Sequence, residues 1–440
     1  MNQTNRRTFL DQSAHLAAGS ALFSGLILTA KGSARAAVGP NEKIRIGLMG
    51  CGGMGGGDLT EFLRNDDVDC AVVCDVDDAH IAKGVEIVQK LRNHAPDTVK
   101  DFRRIIERKD VDVVLVCTPD HWHALPTVYG CQAGKDVYVE KPLATSIAEG
   151  RAMLTAMREN KRVVQMGTQW RSAEHFNEAV KIVQSGALGK IRMVRAWAYL
   201  DWVGGIGNPP DQDPPAGVDY DMWLGPTPLR PFNPNRFHFN FRWYWNYAGG
   251  LMTDWGVHLI NIVLWAMGRE HPRTVYSAGG KLVLDDNTET PDTQVAVYDF
   301  PTYTFIWEHQ VLGGVGIGGR PHGISFSGAD ATLILDSSSW EIIPEKNKNV
   351  EARKGTAGTD GRPAHIRNFL DCVKSRNDPV ENLEIGHFIS SVAHLGNLAI
   401  RSGKQIAWDP EKEKITNDKT ADQLIRVKYR KPWKLPYMKG

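Results

Sequence analysis

Residues 43–55 read KIRIGLMGCGGMG, and this stretch decides the fold of the first half of the chain. Its first seven residues make an apolar run of strand length. Gly50-x-Gly52-x-x-Gly55 follows at once and opens a segment of helical periodicity that runs to about Arg64. Strand, glycine turn and helix in that order are the fingerprint of a dinucleotide-binding βαβ unit. Gly50 permits the tight turn, Gly52 lets the backbone approach a pyrophosphate, and Gly55 lets helix and strand pack closely. Gly53 and Met54 complete the loop, where free N–H groups and the positive end of the helix dipole favour phosphate. A second apolar strand, Val68 to Cys74, ends at Asp75, 20 residues beyond Gly55. That spacing predicts a carboxylate on the adenosine ribose. It would repel a 2′-phosphate, and no Arg follows it directly, so NAD is favoured over NADP.

Outward from this unit the alternation continues. Val111 to Cys117 reads as a strand ending in Thr118-Pro119, Ala124 to Ala133 as a helix, and Asp136 to Glu140 as a strand ending at Lys141. Ser146 to Asn160 reads as a helix and Lys161 to Met166 as a last short strand. Strands alternating with helices predict an α/β fold with a Rossmann-type, doubly wound parallel sheet. Ligands of such sheets sit beyond the carboxyl ends of the strands. One crevice should therefore collect Asp75, Thr118 and Lys141.

The chain has 440 residues, too many for one ordinary core. We expect a dinucleotide-binding domain over 37–167 and a second domain over 168–440, whose late helices could pack back on the first. Residues 205–235, rich in Pro, Gly and Asp, read as a long loop over the site. Val275 to Leu335 reads as strands joined by turns. The formal net charge of +1 gives no global field for nucleic acid or an anionic membrane, and neither is expected as a partner. None of the six cysteines forms a CxxC pair, so a zinc or redox motif has no support and no metal is expected. At the amino terminus, Arg6-Arg7 precedes an apolar stretch from Leu16 to Ala30 and the small-x-small site Ala34-Arg35-Ala36. This predicts a twin-arginine signal peptide over 1–36 and a periplasmic or otherwise extracytoplasmic mature chain. The apolar stretch is too short and too rich in Gly and Ser for a membrane anchor.

Gly50 to Gly55, Asp75, Cys117-Thr118-Pro119, Glu140-Lys141-Pro142 and Asp254-x-x-x-His258, the last within GGLMTDWGVH, resemble the Gfo/Idh/MocA (glucose-fructose oxidoreductase / inositol dehydrogenase) family. The resemblance covers essentially the whole chain beyond the signal. It implies a carboxyl-terminal α+β domain on an open, mostly antiparallel sheet, which carries oligomer contacts and so a dimer or tetramer. It implies a triad of Lys141, Asp254 and His258, with His258 as general base, and a cis Lys141-Pro142 bond. From spacing alone, Asp254 and His258 share one face of a helix and could equally be a surface pair. For a hydroxyl oxidation, however, an imidazole near neutral pKa suits the proton and an ammonium favours alkoxide character.

Around these positions, Trp122 and His123 could pack on the cofactor, or Asp120 could simply cap a helix start. Glu140 and Gln169 are further cofactor candidates. Arg171 and the aromatic pair Trp245 and Tyr247, just before the Asp254 helix, are substrate candidates. Sugar C–H faces stack on such rings, although most aromatics of 197–247 suit core packing as well. The leading expectation is NAD-dependent oxidation of a sugar or polyol hydroxyl with tightly held NAD. The alternatives are an NAD-using glycosidase that oxidises its sugar transiently, and a non-catalytic NAD- and sugar-binding protein. The glycosidase relatives share a Thr-Pro…Trp-x-His segment like that of Thr118 to His123, but tend to lack the lysine present here as Lys141.

Overall fold

The computed structural model describes residues 43–202 and 205–438. The expected signal peptide lies outside them. The first domain runs β1 (Ile44–Met49), α1 (Gly53–Phe62), β2 (Val68–Cys74), α2 (Asp78–Arg92), β3 (Asp97–Val99), β4 (Val113–Val116), α3 (Ala124–Gln132), β5 (Asp136–Val139), α4 (Ile147–Asn160) and β6 (Val164–Met166). Its six strands are all parallel, in the order β3-β2-β1-β4-β5-β6. Every residue of β4 and β5 is buried, as it must be when helices cover both faces of a sheet. The strand order reverses beside β1, so a crevice opens there at the carboxyl ends of β1 and β4.

The second domain adds α5 (Glu174–Gln184), β7 (Met193–Tyr199), α6 (Gly250–Asp254), α7 (Gly256–Met267), β8 (Thr274–Gly280), β9 (Thr293–Asp299), β10 (Thr304–Gln310), β11 (His322–Ser327), β12 (Ala331–Leu335), β13 (Ser339–Pro344) and β14 (Arg353–Thr356). The helices α8 (Arg362–Ser375) and α9 (Leu383–Ser402) follow, then β15 (Ile406–Asp409) and β16 (Lys414–Ile415). The sheet has ten strands, antiparallel except for the β7–β10 pair. Burial alternates along it: Phe305, Trp307 and His309 of β10 point inward, while Tyr276 and Val295 on neighbouring strands are exposed. One face therefore packs on helices and the other is open.

α7 is buried almost all round, which marks an interior helix. Asp254 and His258 are 4% and 9% exposed, which excludes the surface-pair alternative. They do not share one unbroken helix. The chain turns at Trp255, where the His258 N–H bonds back three residues to the Trp255 carbonyl at 3.0 Å. The late helices lie against the first domain. Ile366, Phe369 and Leu370 of α8 join the core that holds β1 and α1, and Arg376 pairs with Asp136 at the start of β5. No helix among the described residues is long and apolar enough to cross a membrane. The six cysteines are free thiols, five of them buried.

Candidate active site

A cavity of about 500 Å³ opens at the expected crevice. At one end is the glycine turn. Gly50 has φ +90°, and a Cβ there would sit 2.5 Å from the Cys117 carbonyl oxygen; a Cβ on Gly55 would overlap the Gly50 carbonyl. Gly50 is thus glycine for its conformation and Gly55 for close packing beneath the turn. Gly52, Gly53 and Met54 face the cavity. Asp75, at the end of β2, lines it too, and its carboxylate accepts the N–H groups of Cys51 at 2.7 Å and Asp77 at 3.0 Å. This arrangement fits a dinucleotide: a glycine-rich turn where phosphates would lie, with a carboxylate at the end of the next strand.

The 205–235 segment closes over this end. Its Asp219 N–H donates to the Val76 carbonyl at 2.9 Å, and Lys100 Nζ donates to the Gly217 carbonyl at 2.9 Å. His238 Nε2 lies 2.8 Å from Asp77 Oδ2, and its ring packs 4.2 Å from that of His80, which in turn faces Asp75. Asp77, His80 and His238 stand close enough together to hold a cation. The His238–Asp77 bond and the His80–Asp75 contact already partner them, so we read them as a clasp between the two domains.

At the other end the walls are charged. Lys141, at the end of β5, donates from Nζ to Asp254 Oδ1 at 2.9 Å, and Arg242 Nε donates to the same oxygen at 3.1 Å. The Arg242 guanidinium packs over the rings of Phe239 and Phe241 at 4.6 and 4.7 Å. Burial alone would raise the Asp254 carboxyl, but the Lys141 and Arg242 cations outweigh it and hold the group well below the usual range. Asp254 Oδ2 is buried and without a partner among the described residues. Thr118, Pro119, Asp120, Trp122 and Glu140 complete this end of the lining. The Lys141-Pro142 bond is cis.

Several candidates stand elsewhere. His258 is beside this wall but not in the cavity lining. Its ring is 5.0 Å from Trp170, its Nδ1 has no partner among the described residues, and burial together with the Lys141 charge pushes its pKa down to about 3. His123 does not face the cavity; its nitrogens lie 2.7 Å from the Pro142 carbonyl and 2.9 Å from that of Thr118, so it braces two cavity loops from behind. Gln169 lies on the turn Gln169–Ser172, outside the lining. Arg171 is turned away, bonded to Asn261 at 2.8 Å and stacked on Trp265. Tyr247 is fully buried against His121 and Trp223, and Trp245 lies under Arg401 in a separate recess. The two aromatics expected on a sugar thus belong to packing. Trp202, Phe239 and Phe241 face the cavity instead. Sequence reasoning missed Arg242 as well, though it sits in the same aromatic run.

Family models match both domains: "Oxidoreductase family, NAD-binding Rossmann fold" over residues 44–168 and "Oxidoreductase family, C-terminal alpha/beta domain" over residues 173–435, both of Gfo/Idh/MocA type. Curated relatives include a glycosyl hydrolase family 109 protein of Shewanella pealeana, 30% identical over 178 residues, or 37% of this chain and 39% of that protein. A levoglucosan dehydrogenase of Pseudarthrobacter phenanthrenivorans is 32% identical over 113 residues, 26% of this chain and 29% of the relative. The chain thus spans well under half the length of these two relatives. Among solved structures, a levoglucosan dehydrogenase with NADH and levoglucosan superposes with TM-score 0.64 at 16% identity, covering 83% of this chain and 99% of that one. The WlbA dehydrogenase of Chromobacterium violaceum with NADH and UDP-GlcNAcA gives 0.63 at 17%, covering 84% and 97%. At such identity the likeness speaks for the fold.

Proposed function

Since the chain belongs to the Gfo/Idh/MocA oxidoreductase family and carries its NAD-binding Rossmann domain, we propose that it oxidises a hydroxyl of a sugar or polyol, with Lys141, Asp254 and His258 as its triad. The observation that carries this reading is the buried Lys141–Asp254 pair in the wall of a cavity that also holds the glycine turn. NAD, bound along Gly50 to Gly55, Asp75 and Thr118-Pro119, supplies the hydride acceptor. Lys141 presents an ammonium to the substrate hydroxyl and favours its alkoxide character. Asp254 fixes that ammonium in place, and Arg242 holds the same Asp254 oxygen. His258, behind this wall, is the imidazole of the triad; burial and the nearby Lys141 charge hold it neutral. The exposed rings of Trp202 and Phe239 offer apolar faces for a sugar ring.

The segment bonded over the Asp75 end supports a cofactor that stays bound from one turnover to the next. That suits the export expected from Arg6-Arg7, because free NAD is scarce outside the cytoplasm. A retained cofactor needs either a second substrate to reset it or a redox-neutral cycle. The second arrangement is the glycosidase reading, which the family 109 relatives support. Mass spectrometry of the ligand released on denaturation, paired with levoglucosan, glucose, myo-inositol and aryl N-acetylgalactosaminides assayed with and without an added acceptor, tests both. Net sugar oxidation supports the dehydrogenase, and aglycone release with unchanged NAD the glycosidase. Protein without dinucleotide, or no response to any sugar, contradicts both.

A further inference from the structure

The charges at the Lys141 end do not balance. Lys141 Nζ and Arg242 Nε both donate to Asp254 Oδ1, and among the described residues no other carboxylate lies within ion-pair distance of either cation. Two cations thus share one anion in a wall where the Lys141, Arg242 and Asp254 side chains are only 9%, 18% and 6% exposed. Asp120 and Glu140 face the cavity as well, but among the described residues no ion pair joins either carboxyl to the Lys141 ammonium or the Arg242 guanidinium. Burial pushes both carboxyls upward, Asp120 to about 8 and Glu140 well above the usual carboxylate range. At neutral pH they are therefore mostly protonated and supply no full second negative charge. Cofactor phosphates belong at the glycine turn, the opposite end of the cavity. An enclosed cation with half a partner is costly, and an anionic group brought in by the ligand would complete the set.

Arg242 is the cation placed to receive that group, since Lys141 is committed to the reacting hydroxyl. Its Nε is taken by Asp254 and its Nη1 donates to the Phe239 carbonyl at 2.9 Å, while Nη2 has no hydrogen-bond partner among the described residues. Two bonds and the rings of Phe239 and Phe241 hold the guanidinium, so little freedom is lost when it binds an oxyanion. Phe239 itself lines the cavity and is half exposed. A sugar set against this ring has its substituents within reach of the cation packed on the same ring. We propose that Arg242 is a specificity residue that receives an anionic group of the substrate, a sugar carboxylate or a sugar phosphate. The inference rests on the oxidoreductase reading and names the substrate class within it: acidic sugars are preferred to their neutral counterparts. Charge-assisted hydrogen bonds from an enclosed guanidinium are strong enough to set such a preference at about tenfold to about 100-fold.

The test compares matched sugars: glucose, glucuronate and glucose 6-phosphate, then galactose and galacturonate. Single-turnover reduction of the bound cofactor is followed by nicotinamide absorbance against sugar concentration, at constant ionic strength, in wild type, Arg242→Met and Arg242→Lys. The quantity read is the ratio of kcat/KM for the acidic sugar to that for its neutral partner, in which any common loss of rate cancels. Wild type should favour an acidic sugar by about tenfold or more, and whether glucuronate or glucose 6-phosphate gains identifies the group. Arg242→Met should bring the ratio within about threefold of unity, and Arg242→Lys, which keeps the charge but not the fork, should restore part of it. Equal use of acidic and neutral sugars by wild type, or an unchanged preference in Arg242→Met, overturns the proposal. If no sugar of either kind reduces the wild-type cofactor, the oxidoreductase reading fails on its own account. The anion site is then judged by thermal unfolding of the cofactor-loaded protein. A rise in Tm with sodium glucuronate or glucose 6-phosphate, absent with glucose or sodium chloride and lost in Arg242→Met, keeps it. No acid-specific rise removes it.

Discussion

The two ends of the one cavity are built differently. At the Asp75 end, the groups that meet across the domains are partly exposed, and they are joined by backbone bonds and by the His238–Asp77 pair. At the Lys141 end, Lys141, Asp254 and Asp120 are almost wholly enclosed, and among the described residues no backbone–backbone bond joins Lys141 or Asp120 to the Asp254 segment. Exposed pairs contribute little and are screened by salt, whereas enclosed charges interact strongly and are costly to leave unpaired. The difference separates two tasks. One end can hold a cofactor through many weak bonds, and the other can act on a proton through a few strong ones. Variants at one end should therefore leave the function of the other largely intact.

The largest effect is expected at Lys141. Lys141→Ala should lower turnover by at least about 1,000-fold while the purified protein keeps its dinucleotide, as single-turnover absorbance and mass spectrometry would show; a variant that loses its cofactor would break the separation. Asp75→Ala should do the converse, weakening dinucleotide retention by about tenfold to about 100-fold through loss of charged hydrogen bonds, with the rate of cofactor-loaded enzyme little changed. Arg242→Met keeps the length of the stem over Phe239 and Phe241 but frees Asp254. It should cost about tenfold to about 100-fold in kcat, and an equal loss in cofactor retention would argue against its place at the reactive end.

Asp120→Asn should also change stability, and the sign is fixed. A carboxyl whose folded pKa is raised above its unfolded value binds more protons when folded, so its burial destabilises the native state increasingly as pH rises from about 4 to about 8. The amide carries no charge, so the Tm advantage of Asp120→Asn over wild type should grow across that window; an advantage independent of pH would mean the carboxyl is not buried as described. The smallest effect is expected at His238. His238→Ala removes one partly exposed pair of the clasp and should speed cofactor release by only about twofold to about fivefold, with kcat of loaded enzyme unchanged.

What could be read from residue order was what depends on neighbours in the chain. The glycine turn, the Asp75 spacing and the alternation of strands and helices are local patterns, and they placed five of the six strands of the first sheet and one cavity wall; the sixth, β3, has only three residues, none of them buried, and leaves no apolar run to read. Arg242 and Asp120 gain their meaning only when the aromatic loop and α6 fold over the first sheet, bringing together positions more than a hundred residues apart. The aromatic run 237–247 shows the same limit from the other side. It switches between cavity and core within a few residues, through short helical turns that have no clean period, so Trp245 and Tyr247 looked as accessible as Phe239. The interruption at Trp255 was likewise invisible, because a one-residue shift from four- to three-residue bonding leaves the apolar pattern of α7 unchanged.

The central claim is that hydride passes between a sugar and a dinucleotide that never leaves the cavity, under control of Lys141. Nicotinamide absorbance of the purified, unsupplemented protein, recorded as each sugar is added, tests it most directly. One sugar should convert close to one equivalent of protein-bound cofactor per chain in wild type and essentially none in Lys141→Ala. Conversion that requires added NAD, or that proceeds equally without the Lys141 ammonium, would contradict the account.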